Sequence, residues 1–115
     1  MEFAIRDALT GIPGLDIFMY PDGDRYDLRI TATDPLVAKQ WRVDAKAWRS
    51  FTALADALLE HPVLGGAVPL TIVVPHRQRS GLPLLQSRLA GRPDLEVMTD
   101  KDMVAEVLRW CRVEP

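Results

Sequence analysis

The apolar segment between Pro69 and Pro75 places the strongest constraint on the fold of this chain. Its residues read Leu-Thr-Ile-Val-Val, a run rich in β-branched side chains without alternating polar positions. A strand of this composition is typically buried on both faces, as in sheets that carry helices on both sides. The segment therefore predicts a protein of the α/β class with an internal strand at 69–75.

The elements around this strand predict a mixed sheet. Apolar periodicity and turn residues indicate helices at 2–9, 50–60, 81–90 and 103–111, and further strands at 15–20, 26–33, 37–48 and 95–98. A turn at 21–24, which contains Pro and Gly, joins the first two strands into a predicted hairpin. The order α-β-β-β-α-β-α-β-α predicts a single domain over residues 1–115, with a mixed central sheet flanked by helices.

The charged residues are nearly balanced but unevenly distributed. The 14 basic and 16 acidic residues leave a net charge of −2, which weakly disfavours nucleic-acid binding. Residues 61–93, however, contain several Arg and no Asp or Glu. No apolar run is long enough to span a bilayer, and Cys111 is the single cysteine, which excludes an internal disulfide. We therefore expect a cytoplasmic protein without a membrane partner.

The third predicted strand has two different faces. Trp41 and Val43 alternate with Arg42, Asp44 and Lys46, so that one face is mostly apolar and the other is polar. Asp44 and Lys46 share the polar face because they are two residues apart. This spacing places an acid and a base side by side.

The second predicted strand supplies another acid. Asp27 lies near its start, on the face that also carries Arg29 and Thr31. If the second and third strands pair, Asp27 and Asp44 converge and can bind Mg²⁺ or Mn²⁺ through carboxylate oxygens. Such a metal activates water and stabilises charge on a phosphate, and Lys46 orients the water or compensates that charge. The alternative is a solvated Asp27 beside a surface ion pair.

These residues resemble the PD-(D/E)XK nuclease superfamily. Asp27 matches the first acid of the motif, and Asp44, Ala45 and Lys46 match its (D/E)XK element. The resemblance implies a restriction endonuclease-like αβββαβ core and metal-dependent hydrolysis of phosphodiester bonds in DNA. Many members add a Glu on the first helix, for which Glu2 is the candidate. The sequence Val-Asp-Ala-Lys-Ala-Trp at residues 43–48 also resembles restriction endonuclease-like domains of bacterial defence loci, some of which accompany Piwi-like proteins.

The segment after the fourth strand is a candidate DNA contact. Arg77, Gln78 and Arg79 lie between that strand and the next predicted helix. A helix N-terminus with neighbouring Arg side chains favours phosphate binding. The alternative is an exposed loop that contributes only to solubility.

Two other classes of function remain open at this point. A catalytically inactive DNA-binding or assembly subunit agrees with the small size and near-neutral charge. A nucleotide sensor built on residues 70–110 is disfavoured because no glycine-rich phosphate loop follows the fourth strand. A domain of this size lacks the added subdomains that read bases, so specificity would come from a homodimer or a larger defence complex.

Overall fold

A five-stranded mixed sheet with helices on both faces forms the described part of the chain. The computed structural model describes residues 1–19, 27–33, 39–46, 50–60 and 68–111. The elements in chain order are α1 Glu2–Leu9, β1 Leu15–Met19, β2 Leu28–Ala32, β3 Lys39–Ala45, α2 Phe51–Glu60, β4 Leu70–Val74, a 3-10 helix His76–Gly81, α3 Leu82–Arg88, β5 Leu95–Thr99 and α4 Asp100–Trp110. Among these helices, none is long and apolar enough to cross a membrane.

The strands lie in the sheet in the same order as in the sequence. β1, β2 and β3 are antiparallel neighbours, whereas β3, β4 and β5 run parallel. The chain passes through α2 between β3 and β4, and through α3 between β4 and β5. This topology confirms the α/β class and the mixed central sheet. The predicted turn at 21–24 and the predicted strand ends at 20, 26, 37–38 and 47–48 lie outside the described residues.

The sheet separates two hydrophobic cores. β4 contributes Val73 to the core under α1 and α4, and Ile72 and Val74 to the core under α2 and α3. All three side chains are fully buried. The prediction of a strand buried on both faces is therefore confirmed. The same alternation places the buried Trp41 and Val43 of β3 in the first core, and Trp41 Nε1 donates a hydrogen bond to the Glu106 carboxylate at 2.8 Å.

Side-chain caps explain where two helices begin. Ser50 Oγ accepts the N–H of Ala53 at 3.2 Å, and Thr99 Oγ1 accepts the N–H of Asp102 at 3.1 Å. Thr99 thus caps α4, which begins at Asp100 and not at the predicted residue 103.

The segment after β4 differs from its prediction. Residues 76–80, expected to be a loop, belong to the 3-10 helix His76–Gly81. The following helix spans Leu82–Arg88 and is shorter than the predicted 81–90. Gly81 packs against Phe51 of α2 so closely that a Cβ atom there would overlap the aromatic ring. The change from 3-10 to α geometry therefore occurs where the chain contacts α2.

Candidate active site

The register between β2 and β3 brings Asp27 and Asp44 together. Leu28 lies opposite Val43 at the end of the paired register, and the N–H of Asp27, which directly precedes β2, donates to the Val43 carbonyl at 3.0 Å. Asp27 therefore lies beside the end of β3 that carries Asp44. The two side chains are close enough that the Asp27 carboxylate raises the pKa of Asp44. We call this pair the acid row.

Backbone contacts hold Asp27 against the end of β3. The Oδ2 atom of Asp27 accepts the N–H of Ala45 at 2.8 Å, and the N–H of Lys46 donates to the Val73 carbonyl at 2.8 Å. The end of β3 is thus bound by Asp27 on one side and by β4 on the other. Asp27 therefore stabilises the end of β3 through this hydrogen bond and also supplies a carboxylate to the site.

Lys46 completes the constellation on the same face. Its Nζ atom lies 3.3 Å from Oδ2 of Asp44, with 34% of the Lys46 side chain and 15% of the Asp44 side chain exposed. Asp44 is thus mostly buried, while the ammonium group remains reachable from solvent.

The electrostatics of the acid row favour a bound cation. Burial raises the pKa of Asp44 from 3.8 to about 6, the Asp27 carboxylate adds to this increase, and Lys46 opposes it. Two adjacent carboxyl groups in a partly buried site are most easily both ionised when a positive charge lies between them. The ammonium group of Lys46 alone does not fully offset the free-energy cost of ionising the buried Asp44, because the pKa of Asp44 remains raised.

The available donors fit a hard divalent cation that keeps several waters. Carboxylate oxygens are the ligands that Mg²⁺ prefers, and Mg²⁺ is often held by one or two of them. Among the described residues, no group of three or more His, Cys, Asp or Glu side chains is arranged to hold a metal ion. Glu2, the predicted third acid, therefore does not join the acid row. Its carboxylate lies 3.7 Å from the N-terminal ammonium group.

The acid row lies at the edge of the sheet where the parallel strands end. Asp44 of β3 pairs with Ile72 of β4. Lys46 directly follows the end of β3, and the 3-10 helix His76–Gly81 follows the end of the neighbouring β4. Ligands of open α/β sheets generally bind at the carboxyl ends of the strands. The predicted DNA-binding residues Arg77, Gln78 and Arg79 belong to this 3-10 helix.

Exposure differs among these three residues. The side chains of Arg77 and Arg79 are exposed, and Gln78 is half-buried. The 3-10 helix is anchored at its start, where the N–H of His76 donates to Oδ1 of Asp100 at 3.0 Å. The structure thus presents two guanidinium-bearing side chains at the edge that carries the acid row.

The sequence interpretation did not assign a role to a second polar row on the same sheet face. Arg29 lies opposite Arg42, and each is two residues along its strand from an acid of the acid row. Phe18 of β1 lies opposite Arg29. The sequence did indicate, from strand alternation, that Arg29 shares a face with Asp27 and that Arg42 shares a face with Asp44. Without the strand register, the two arginines could not be recognised as a pair.

The mixed sheet, with two acids and a lysine at its carboxyl edge, defines a restriction endonuclease-like α/β domain. Within this class, the chain belongs to the family described as "REase associating with pPIWI_RE", where REase denotes a restriction endonuclease. The family model matches residues 1–114. No curated protein and no solved structure matches the chain.

Proposed function

We propose that this domain hydrolyses phosphodiester bonds in DNA with the help of Mg²⁺ or Mn²⁺, as a member of the PD-(D/E)XK superfamily. The observation that carries the proposal is the convergence of Asp27, Asp44 and Lys46 on one polar face. The acids come from neighbouring strands, and the lysine lies 3.3 Å from one of them. The raised pKa of Asp44 is typical of functional carboxylates, whereas a stabilising surface ion pair lowers the pKa of its acid.

In the proposed reaction, Asp27 and Asp44 hold the cation. When bound, a divalent cation supplies a water of lowered pKa and positive charge beside the phosphate. Asp27 presents its carboxylate in a fixed orientation because Oδ2 also accepts the Ala45 N–H. Lys46 keeps a proton and a positive charge at the rim of the site, where it stabilises the charge that develops on the phosphate oxygens.

Residues of the neighbouring strand end position the substrate. Arg77 and Arg79 contact the DNA backbone through their exposed guanidinium groups, and Gln78 adds a polar contact from the same 3-10 helix. Glu2 has no part in this mechanism. Two carboxylates with water as the remaining ligands satisfy the cation.

The family description supports a role within a larger assembly. It names an REase that associates with pPIWI_RE. We propose that this chain cuts DNA in bacterial defence while bound to such a partner, which would supply the sequence selection that a single small domain lacks. A homodimer is the other assembly that would supply it.

A cleavage assay tests the activity. The purified chain, alone and with its partner, is incubated with labelled single-stranded, duplex and branched DNA in Mg²⁺ or Mn²⁺. We expect cleavage by the parent, its loss in EDTA, and a decrease of about 100-fold or more in Asp44→Asn and Lys46→Met. Asp7→Asn and Lys101→Met are matched controls, because both residues are exposed and lie on helices.

Two outcomes would contradict the proposal. The mechanism is wrong if Asp44→Asn and Lys46→Met cleave as well as the parent. Calorimetry with Mg²⁺ provides the second measurement. DNA or partner binding without any metal binding at the acid row would identify a non-catalytic subunit of the same fold.

A further inference from the structure

Strand β5 forms one edge of the sheet in the described part of the chain. It pairs with β4 in parallel register, and the N–H of Leu70 donates to the Asp94 carbonyl at 2.8 Å. This register turns the backbone groups of Glu96 towards β4 and those of Leu95 and Val97 away from it. β5 therefore presents backbone donors and acceptors along an edge at which a further strand can pair.

Contacts within the chain satisfy only part of this edge. The N–H of Leu95 donates to the Arg92 carbonyl at 3.1 Å, and Nε2 of Gln86 on α3 donates to the Val97 carbonyl at 3.2 Å. The Gln86 amide thus takes the place that a backbone N–H of an added strand would occupy. The N–H of Val97 has no hydrogen-bond partner among the described residues.

A groove of about 400 Å³ lies along the same edge. Leu89 and Ala90 of α3 line one wall, Glu106 of α4 lines the other, and residues 95–98 of β5 lie between them. The outer side of β5 is therefore open between two helices. A groove with a strand edge at its base suits an extended peptide segment, which binds by continuing the sheet.

The two sides of the groove differ in chemistry. Leu95 and Val97 belong to the core under α2 and α3, so their side of β5 is apolar. Glu96 and Met98 lie on the opposite side of the strand, where Met98 packs against the core under α1 and α4. Glu96 is exposed on that side. An added strand would therefore place alternate side chains against an apolar surface and beside Glu96.

Acidic side chains dominate the charge of the groove. Glu106 lies on the same side as Glu96, and its hydrogen bond to the uncharged Trp41 indole leaves its negative charge in place. Arg92 also lines the groove, but both oxygens of Asp94 bind its guanidinium group, at 2.9 and 2.8 Å. Glu96 and Glu106 therefore favour a strand that carries Lys or Arg on this side.

A second copy of the chain is disfavoured as the occupant of this edge. Two copies of β5 related by a two-fold axis would pair in antiparallel fashion. The Glu96 and Glu106 carboxylates of both copies would then share one side of the joined sheet, where like charges repel. A strand of different sequence with basic side chains avoids this repulsion. The family description names a different protein, pPIWI_RE, as the associate of the REase.

We propose that β5 is the docking edge for pPIWI_RE, an extended segment of which pairs with β5 and alternates apolar residues with Lys or Arg. The proposal rests on the association proposed above and assigns it to a surface. The acid row lies at the end of β3, two strands away, or about 10 Å across the sheet. Docking at β5 therefore leaves the acid row open to DNA.

The Kd between the purified domain and purified pPIWI_RE protein tests the docking edge. We expect Glu96→Arg to weaken binding about tenfold by repelling the basic segment, and Glu96→Gln to weaken it about threefold. Gln86→Ala should bind about threefold more tightly, because the segment no longer displaces an amide from the Val97 carbonyl. Weaker binding by Gln86→Ala would contradict pairing at that carbonyl.

A matched control comes from the other edge of the sheet. Asp16 is an exposed acid on the edge strand β1, so Asp16→Arg makes the same kind of charge change away from the groove. This variant should leave the Kd for pPIWI_RE unchanged. Melting temperatures establish that each variant is folded.

Amide hydrogen exchange of the labelled domain, read by NMR, locates the contact. The N–H of Val97 should exchange at least about tenfold more slowly in the complex than in the free domain, because an added strand accepts its hydrogen bond. The N–H of Met98 points towards β4 and serves as the internal control, since it is protected in both states.

The outcomes separate this inference from the proposed activity. If the domain cleaves DNA but Glu96→Arg binds pPIWI_RE as the parent does, or the parent does not bind it, the docking edge is overturned and the activity stands. If binding and exchange follow the expected pattern but neither domain nor complex cleaves DNA, the docking edge is supported and the catalytic proposal fails. Protection of the Val97 N–H in the domain alone, increasing with its concentration, would assign the edge to a second copy and overturn the proposal.

Discussion

Asp44→Asn is expected to stabilise the protein at neutral pH when no divalent cation is present. The Asp44 carboxylate is mostly buried beside Asp27, and together these effects raise its pKa to about 6. The folded protein therefore holds a proton that the unfolded chain releases at lower pH. Ionising Asp44 in the folded state costs free energy, which an uncharged amide of nearly the same shape avoids.

The sign and size of the effect follow from this pKa. Below pH 4, Asp44 is protonated in both states, so the effect is absent. Between pH 4 and 6 the free energy of unfolding falls as pH rises, because only the unfolded chain loses the proton. Above pH 6 the difference between 3.8 and about 6 corresponds to about 3 kcal/mol. This value already includes the opposing effect of Lys46, which lowers the pKa of Asp44.

Thermal unfolding of the parent and Asp44→Asn between pH 4 and 8 measures the effect. A gain of about 3 kcal/mol corresponds to a rise in Tm of about 12 °C for a domain of this size. The difference between the two proteins should shrink towards zero at pH 4. Adding Mg²⁺ should stabilise the parent and leave Asp44→Asn unchanged, since ligands that bind only the folded state raise Tm. Asp7→Asn, at an exposed position on α1, is the control.

One result would refute this reasoning. If Asp44→Asn melts below the parent at pH 7.5 in EDTA, and their difference grows as pH rises from 4.5 to 7, the ionised Asp44 stabilises the fold. Its contact with Lys46 would then be a structural ion pair, and the argument for a cation site would lose its electrostatic support.

Two further predictions concern the packing of Gly81 and the second role of Asp27. Gly81→Ala should destabilise the fold by about 1–3 kcal/mol in urea unfolding, because its Cβ overlaps the Phe51 ring, whereas Gly91→Ala has open space and should change stability little. Equal effects of the two changes would contradict this packing. Asp27→Asn should abolish Mg²⁺-dependent stabilisation and retain an acceptor for the Ala45 N–H, while Asp27→Ala should be less stable than Asp27→Asn by about 1–2 kcal/mol. Identical unfolding midpoints for the two Asp27 variants would show that this hydrogen bond is dispensable.

Local sequence patterns were sufficient to predict the main elements. The run between Pro69 and Pro75 predicts a strand buried on both faces, and β4 contributes to both cores. The alternation of Trp41 with Asp44 predicts opposite faces of one strand, and Trp41 is 2% exposed in the core. These predictions succeed because strand periodicity and burial depend on neighbours in the sequence.

The predictions were less accurate where distant contacts decide the conformation. Residues 76–80 form a 3-10 helix, and α3 begins later than expected, next to the close contact between Gly81 and Phe51. The polar stretch itself contains no signal of that contact. The role proposed for Glu2 was an extension from the family resemblance, and the described structure forms no three-acid group that includes it.

The sequence alone determined the class of fold, the strand faces and the residue types of the candidate site. Only the tertiary structure decided which residues meet. The antiparallel register of β2 and β3 places Arg29 opposite Arg42 and brings Asp27, just before β2, beside the end of β3 that carries Asp44. A shift of one residue would change both arrangements. The pKa of Asp44 likewise depends on how deeply the folded chain buries it. The residue types of the candidate site thus follow from the sequence, whereas their proximity and burial follow from strand pairing.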